Sequence, residues 1–433
     1  MADVYPFRGY RYNREKAGDL NRVVSPPYDK IDDEQREELI NSSPYNIVRI
    51  ILSEATTNYD DKYEVAAKYL QDWIDEGVLQ RDKEPSFYSY YQEYKVEGEK
   101  KVRKGFVGLG KIEAGEGVKA HEETMSGPKA DRLRLLKATE ANFGQIFMLY
   151  SDPENGITEV LDSNTEGEPL VEVKDQDHNA HKVWKITDES IISSIQERMK
   201  DKSLYIADGH HRYETALNYR NECRQKDWES VNNEGFDHRM MTFVNVDDPG
   251  LSILATHRLV YGLDQFKPHG VLDKARDHFS ISRFDEEEKL LSKMDRDMGE
   301  KHTFGYRAKG DKAYWSLTLQ DESVMDELLP ERSEEWRRLD VVILHKLILE
   351  GYLGIDEEAL EEKRNIEYVR GREVALNMLK EGKYQGAFIT NPTRIDQVKE
   401  IADKGEKMPQ KSTDFYPKLL TGPVIHQLAI DKG

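Results

Sequence analysis

The 433-residue sequence has one cysteine, few hydrophobic residues and no long apolar run. Cys223 alone cannot form an internal disulfide or a multi-cysteine metal site. Hydrophobic residues make up 37% of the chain, and no stretch approaches the roughly 18 consecutive apolar residues of a membrane span. The opening "MADVYPFRGY" lacks the charged and apolar regions of a secretory signal. We therefore expect a soluble cytoplasmic protein without a membrane partner.

Basic residues are fewer than acidic residues. The chain has 63 Lys and Arg residues against 83 Asp and Glu residues, which gives a net charge of −20. This charge repels a phosphate backbone, so we do not expect nucleic acid as the main partner. A local basic pocket could still bind a small anion. Composition leaves the oligomeric state open.

The length and the order of predicted elements indicate two packed domains. Helices alternate with strands through the first 260 residues, which favours an α/β to α+β class with layered mixed sheets. We place an N-terminal α/β unit at 1–260 and a C-terminal α+β unit at 261–433, whose final loop returns to the cleft. Within the first unit, "YNIVRIIL" predicts a strand, 151–185 looks irregular or weakly stranded, and a helix begins near Asp131.

The segment "LYIADGHHRYETALNY", residues 204–219, combines an apolar strand, an Asp-Gly turn and a helix. Backbone amides at such a helix N-terminus bind anions. Gly209 permits a tight approach, Asp208 could cap the helix, and Arg212 could hold a phosphate in bidentate fashion. His210 and His211 add further donors. The segment is therefore interpreted as a phosphate cradle, although a capped helix with partly exposed histidines fits the same residues.

A second cluster lies in "KAHEETMSGPKADRLR". A carboxylate beside a histidine, in a loop ahead of a helix, can act as a general base if its neighbours keep it ionised. Glu122 and His121 fit this description, and Lys129 and Arg132 supply positive charge nearby. An exposed loop followed by an ordinary helix start explains the residues equally well.

Two further segments carry polar residues of interest. "MPQKSTDFYPK" presents Lys411, Ser412 and Thr413 in a turn between prolines, as an anion-contacting loop or a rigid surface loop would. It lacks the glycine frame of a P-loop. "LATHRLVYGL" places His257 and Arg258 on a strand, where an inward Arg needs a carboxylate or phosphate partner. A core ion pair is the more common explanation there.

The histidines raise the question of a metal site. His121, Glu122, His210 and His211 together could form a set of two histidines and one carboxylate. The adjacent pair His210 and His211 cannot bind one ion from one helix face, because neighbouring helical residues diverge by roughly 100°. Whether the chain holds a transition metal is left open by these residues.

Five ordered motifs resemble a known family. These are "VVSPPYD", "HEETMSGPKADRL", "YIADGHHRYETAL", "THRLV" and "MPQKSTDFYPKLLTG". In this order they resemble the bacterial and archaeal family catalogued as domain of unknown function 1015, over essentially the whole chain. Membership of that family implies no particular reaction.

A more distant likeness does imply chemistry. A His-Glu-x-Thr element followed by an Asp-Gly-His-x-Arg turn is similar to the free serine kinases of the ParB and sulfiredoxin-like fold. Glu122 then matches the catalytic base and Thr124 the threonine, while Asp208, Gly209, His210 and Arg212 match the phosphate-holding turn. The longer separation of the two elements implies an insertion within residues 150 to 200. The resemblance thus implies a ParB/sulfiredoxin-like core elaborated by insertions.

This resemblance implies a phosphotransferase that uses ATP or ADP and Mg²⁺, with a small hydroxylated metabolite such as serine as acceptor. Glu122, His121 and Asp208 are the catalytic candidates, with His121 orienting Glu122. The 208–212 turn and Lys411, Ser412 and Thr413 would bind phosphate, donor or substrate. Other candidates are Thr124, Lys129, Arg132, His257, Arg258 and Lys418. The alternative is a regulatory or scaffold protein that binds a nucleotide without catalysis.

Overall fold

The computed structural model describes residues 2–55, 61–96, 98–113, 118–119 and 126–433. These residues form two compact units. The first contains the described residues up to Ser252 together with Pro417–Gly433, and the second contains Ile253–Tyr416. The C-terminal segment therefore belongs to the first unit.

A mixed sheet forms the centre of the first unit. In the described part of the chain it has nine strands. One of them, Val4–Tyr5, pairs with the C-terminal end of the longest strand, Glu99–Lys111. The other eight strands, in spatial order, are Val118–Lys119, Leu204–Asp208, Ile146–Tyr150, His238–Asn245, Glu99–Lys111, Phe87–Val96, Ala180–Ile186 and Val171–Lys174. Most pairs are antiparallel, but His238–Asn245 runs parallel to Ile146–Tyr150. The predicted class of mixed, layered sheets is confirmed.

The hairpin of Phe87–Val96 and Glu99–Lys111 supplies the middle of this sheet. Gly98 has a φ of +85°, a conformation that glycine adopts without strain and that the tight turn requires. The aromatic residues on these strands are buried, and the rings of Phe87 and Phe106 meet edge to face at 5.3 Å. Neighbouring Phe87 and Tyr88 point to opposite faces of the sheet, so aromatic side chains pack on both faces.

Helices and short turns cover the sheet of the first unit. They are Arg14–Ala17, Leu20–Arg22, Tyr28–Lys30, Asp33–Ser42, Val48–Ile51, Lys62–Asp75, Ser126–Thr139, Gly156–Asp162, Glu189–Met199 and His210–Gln225. Ser126–Thr139 packs against both Lys62–Asp75 and His210–Gln225. Asp188 caps Glu189–Met199 by accepting a hydrogen bond from the Ser190 amide at 2.8 Å.

One local prediction was wrong. The segment "YNIVRIIL" forms the short helix Val48–Ile51 rather than a strand. Its β-branched residues are buried, and burial decides the local structure more strongly than strand propensity does. Residues 151–185 contain the strands Val171–Lys174 and Ala180–Ile186 and the short helix Gly156–Asp162 between irregular segments, so the weakly stranded region that we predicted is confirmed in part. The helix expected from Asp131 begins earlier, at Ser126.

The second unit contains an antiparallel sheet. In spatial order its strands are Phe279–Phe284, Tyr314–Leu319, Thr303–Ala308, Gly386–Ile389, Thr256–Val260 and Ile366–Arg370. The surrounding helices are Pro268–Ala275, Glu287–Asp297, Ser323–Leu328, Glu334–Arg337, Asp340–Ile343, Leu344–Tyr352, Glu357–Glu361, Arg372–Lys380 and Ile395–Asp403. Leu344–Tyr352 is a π-helix. Asp414–Tyr416 is a further short strand at the end of the unit.

The C-terminal segment is tied to the start of the chain within the first unit. The Thr421 amide donates to the Ser25 carbonyl at 2.8 Å, and the Ile425 amide donates to the Tyr10 carbonyl at 2.9 Å. These bonds bring Pro417–Gly433 beside the Pro-Pro segment. Across the described ranges, no helix is long and apolar enough to cross a membrane.

Candidate anion-binding site

The segment at 204–225 has the strand, turn and helix that its sequence predicts. The strand Leu204–Asp208 leads through Gly209, with a φ of +99°, into the helix His210–Gln225. A Cβ atom at Gly209 would lie 3.0 Å from Arg212 Nε, so this turn requires glycine. The predicted capping role of Asp208 is wrong. Gly209 occupies the cap position without a side-chain bond, and the Asp208 carboxylate instead contacts the Arg212 guanidinium one turn further along.

Asp208 lies among cations. Its Oδ2 atom accepts a hydrogen bond from Arg212 Nη2 at 3.0 Å, and its Oδ1 atom lies 3.8 Å from Lys418 Nζ. Burial by itself raises the pKa of Asp208, but Lys418, Arg212, Lys30 and His210 outweigh it and hold that pKa well below its ordinary value. The carboxylate is therefore ionised at neutral pH, and several cationic side chains surround it.

The Arg212 side chain is held in place from two sides. Its Nη1 atom donates to the Gln145 carbonyl at 2.5 Å, while Nη2 donates to Asp208. A Cβ atom at Gly144 would lie 3.2 Å from Arg212 Nη1, so the backbone beside the guanidinium is closely packed. The predicted bidentate contact with phosphate stays a prediction.

A small cavity lies beside Arg212. Its volume is about 60 Å³, and the described residues that line it include three arginines and no carboxylate. The arginines are Arg132, Arg212 and Arg239. Tyr28 and Thr215 add hydroxyl groups to the same lining. A cavity of this composition attracts an anion rather than a cation.

Arg239 is the least satisfied of these residues. It is only 8% exposed, and its Nε and Nη1 atoms have no hydrogen-bond partner among the described residues. Burial, and then the charge of Arg212, lower the pKa of Arg239 to about 9, so it remains protonated at neutral pH. The Thr215 hydroxyl and the Gln145 side-chain amide also lack partners in the described structure. Buried donors of this kind are costly unless a bound group satisfies them.

Sequence reasoning missed several of these residues. Lys30 and Tyr28 follow the Pro-Pro pair in "SPPYDK", so that motif could have indicated them. Arg239 lies at the start of the strand His238–Asn245, and Gln145 directly precedes Ile146–Tyr150. Nothing in the local sequence distinguishes them, because they meet the turn only through sheet register.

Other residues predicted for this region have different placements. His121, Glu122 and Thr124 lie outside the described residues. Lys129 pairs with Glu214 at 2.8 Å on the neighbouring helix. Arg132 pairs with Asp131 and lies 4.3 Å from the Tyr28 ring centroid, so it reaches the cavity wall. His210 is buried and His211 is partly exposed.

The remaining predicted residues, apart from Lys418, belong to the second unit. The core ion pair expected for Arg258 is not found, because the described residues place no carboxylate beside it. Arg258 instead donates to the carbonyls of Thr256 and Lys411 and to the ring of His345. His257 is buried, and burial lowers its pKa to about 3.

Ser412, in the loop 411–413, forms hydrogen bonds with residues of the same unit. The Ser412 hydroxyl donates to the Pro409 carbonyl, and the Ser412 carbonyl accepts from the Thr393 hydroxyl at 2.7 Å. Lys411 has a φ of +60°, and Thr413 directly precedes the strand Asp414–Tyr416. The predicted contact of this loop with substrate or donor stays a prediction.

No group of three histidine, cysteine, aspartate or glutamate side chains suited to a metal ion occurs within the described residues. A nucleotide-bound Mg²⁺ does not need such a group, since it commonly uses one or two carboxylates together with phosphate oxygens and water. The donor set around Asp208 fits a phosphate group better than an isolated metal ion.

Solved structures show only distant similarity to this chain. A free serine kinase in complex with AMP is 11% identical, with a TM-score of 0.33, and the match covers 69% of this chain and 83% of that chain. A conserved hypothetical protein from Pyrococcus furiosus is 12% identical, with a TM-score of 0.33 and coverage of 70% and 89%. SbnI from Staphylococcus aureus, with a C-terminal truncation, is 11% identical, with a TM-score of 0.34 and coverage of 72% and 85%.

The family comparison covers most of the sequence. No curated protein matches the chain. A family profile, however, matches residues 4–342, which include the turn at Asp208 and the buried Arg239. The chain therefore belongs to the family described as protein of unknown function, DUF1015.

Proposed function

We propose that this protein transfers a phosphoryl group from a nucleotide to the hydroxyl group of a small metabolite, with serine as the leading candidate. The observation that carries the proposal is the group of cations around Asp208, to which Lys30, Arg212 and Lys418 contribute. The whole chain has a net charge of −20. A local cationic site at a helix N-terminus is therefore a specific feature suited to phosphate groups.

The cations would act mainly by stabilising charge. Phosphoryl transfer depends on positioning and on neutralising the oxygens of the transferring group. Arg212 is held by Asp208 and Gln145, so its guanidinium is already oriented before a ligand binds. Arg239 offers two further donors that the described residues leave unused. ATP or ADP, with Mg²⁺, supplies the phosphoryl group when bound.

The acceptor hydroxyl also requires a base. Glu122 is our proposal for this role, on the basis of its place in the His-Glu-x-Thr element, and His121 would orient it. A carboxylate that accepts the hydroxyl proton contributes roughly 10²- to 10⁴-fold to such a reaction. Lys411, Ser412 and Thr413 are proposed to contact the substrate or the donor.

The test is a direct transfer assay. The protein is incubated with ATP or ADP, Mg²⁺ and L-serine, and phosphoserine is followed by ³¹P NMR, with L-alanine as the acceptor that lacks the hydroxyl. Nucleotide affinity is measured in parallel by calorimetry. Formation of phosphoserine, or of another phosphorylated small alcohol, supports the kinase.

The same assay identifies the alternative. Tight nucleotide binding without transfer to serine or to any small alcohol would favour a nucleotide-binding regulatory or scaffold protein. Absence of nucleotide binding would contradict both functions.

A further inference from the structure

The second unit contains a larger cavity that the proposed kinase chemistry does not use. Its volume is about 160 Å³. A cavity of about 150 Å³ accommodates one benzene ring, so this one has room for a single six-membered ring with a substituent. Its lining includes Trp336, His345, Lys346, Leu360 and Tyr368.

Two aromatic side chains give the cavity rigid walls. Trp336 is 5% exposed, and its indole Nε1 donates to the Lys407 carbonyl at 2.8 Å, which fixes the ring. The Arg258 guanidinium lies 5.3 Å from the ring centroid of Tyr368. Leu360 adds an aliphatic surface to the lining. Such walls suit a flat apolar ligand.

His345 adds a defined hydrogen-bond donor. It is 6% exposed, and its Nε2 atom lies 3.3 Å from Arg258 Nη2. Burial lowers the pKa of Arg258 only to about 10, so the guanidinium stays charged and can only donate. His345 Nε2 must therefore accept this bond, which places the ring proton on Nδ1.

The bond to Arg258 uses Nε2, so the Nδ1–H group is left to bind another acceptor, and His345 lines the cavity. Burial and the charge of Arg258 lower the pKa of His345 well below its ordinary value, which keeps the ring neutral. Tyr368 also lines the cavity, and burial raises the pKa of its hydroxyl group. The cavity thus presents one oriented donor and one hydroxyl group to a ligand.

The local backbone and charges support a ligand site. His345 lies in the π-helix Leu344–Tyr352, where the Leu353 amide donates to the Ile348 carbonyl five residues earlier. Such segments occur frequently at functional sites. The lining also holds charges of both signs: Lys346 pairs with Glu350 at 2.9 Å and lies 3.9 Å from Glu357, and Arg332 and Glu331 are further lining residues. The Arg332 guanidinium lies 4.6 Å from the Trp336 ring centroid. Because both signs are present, a neutral ligand fits this lining better than an ion.

From these features we propose that the cavity binds a flat, uncharged aromatic or heteroaromatic ring that carries a hydrogen-bond acceptor such as a carbonyl oxygen. The ring lies between the aromatic walls, and the acceptor receives the hydrogen bond from His345 Nδ1. This site is independent of the proposed phosphoryl transfer.

The test uses nicotinamide as the probe and cyclohexanecarboxamide as its non-aromatic counterpart. Both are titrated into the full chain by calorimetry. We expect saturable binding of nicotinamide and at least tenfold weaker binding of cyclohexanecarboxamide. Saturating ATP should not displace nicotinamide, so failure of the kinase proposal would not affect this result.

Two variants and one control locate the probe. His345→Met removes the Nδ1 donor, while Arg258 keeps the carbonyls of Thr256 and Lys411 as acceptors, so nicotinamide binding should weaken roughly five- to tenfold. Trp336→Leu removes an aromatic wall and should weaken binding further. Trp315→Phe changes another tryptophan of the same unit, outside the cavity, and should have no effect. Thermal unfolding of each variant checks that it is folded.

Three outcomes would overturn the proposal. These are the absence of saturable nicotinamide binding, binding that His345→Met leaves unchanged in a folded protein, and displacement of the probe by ATP. The last result would place the probe in the nucleotide site.

Discussion

Lys418 Nζ lies 3.8 Å from Asp208 Oδ1, which joins the C-terminal segment to the end of the strand Leu204–Asp208. Arg212 approaches the other carboxylate oxygen at 3.0 Å. The Asp208 carboxylate therefore lies between two cations, one from the helix that follows it and one from the C-terminal segment.

Arg212→Ala should weaken nucleotide binding roughly 10- to 100-fold. The substitution removes charge-assisted hydrogen bonds worth about 1.5 to 3 kcal/mol. Calorimetry with ATP and ADP measures the effect. Arg224→Ala is the matched control, because Arg224 lies on the same helix and its side chain is 55% exposed. Equal affinities in the wild type and Arg212→Ala would remove Arg212 from the phosphate site.

Glu122→Gln should reduce turnover by roughly 10²- to 10⁴-fold while nucleotide affinity changes little. Glutamine keeps the size of the side chain but cannot accept the proton of the acceptor hydroxyl. Steady-state transfer to L-serine and calorimetry with ATP give the two quantities. Full turnover in this variant would exclude Glu122 as the base.

Arg239→Met should weaken the binding of an anion in the cavity without destabilising the free protein. The guanidinium is buried with unused donors, so its replacement by an apolar side chain should leave the free energy of unfolding unchanged or raise it by about 1 to 3 kcal/mol. The increase in Tm caused by ATP should become smaller. Urea unfolding and thermal unfolding with and without ATP measure both effects.

Arg103→Met is the matched control for that variant. Arg103 is 1% exposed, and it donates to the Gln92 side chain and to the Pro417 carbonyl. Its replacement leaves both acceptors buried without a donor and should lower the free energy of unfolding by about 1 to 3 kcal/mol. If Arg239→Met is as destabilising as Arg103→Met, Arg239 is a structural residue.

The stability of the first unit should fall on acidification, in part through His238. Burial lowers the pKa of His238 to about 4, whereas an unfolded histidine titrates near 6.5. Because the folded pKa is the lower one, the unfolded state binds more protons between these values. The stabilisation is therefore complete above about pH 6.5 and is lost as the pH falls towards 4, by at most about 1.4 kcal/mol per pH unit.

His238→Phe should reduce this pH dependence, since phenylalanine keeps a ring against Tyr5, whose centroid lies 5.0 Å from that of His238. Urea unfolding at several pH values between 7 and 4 gives the slope. His178→Asn, at an exposed turn residue with a φ of +62°, should leave the slope unchanged. The same slope in His238→Phe and the wild type would show that His238 does not titrate in this range.

Sequence alone determined the features that depend on neighbouring residues. Apolar Leu204–Ala207 followed by Asp-Gly specified a strand, a turn and a helix, because Gly209 readily adopts the positive φ that the turn requires. The overall charge of the chain excluded few functions by itself. Because the chain is acidic overall, however, a local group of cations indicates a specific anion-binding site.

Tertiary structure decided what surrounds the turn. Arg239 and Gln145 approach Arg212 because their strands, His238–Asn245 and Ile146–Tyr150, are adjacent in the sheet, and Lys418 arrives with the C-terminal segment. The same long-range packing turned Val48–Ile51 into a helix against its β-branched composition. Burial and pairing between distant segments depend on the complete set of contacts, and no local pattern of residues encodes them.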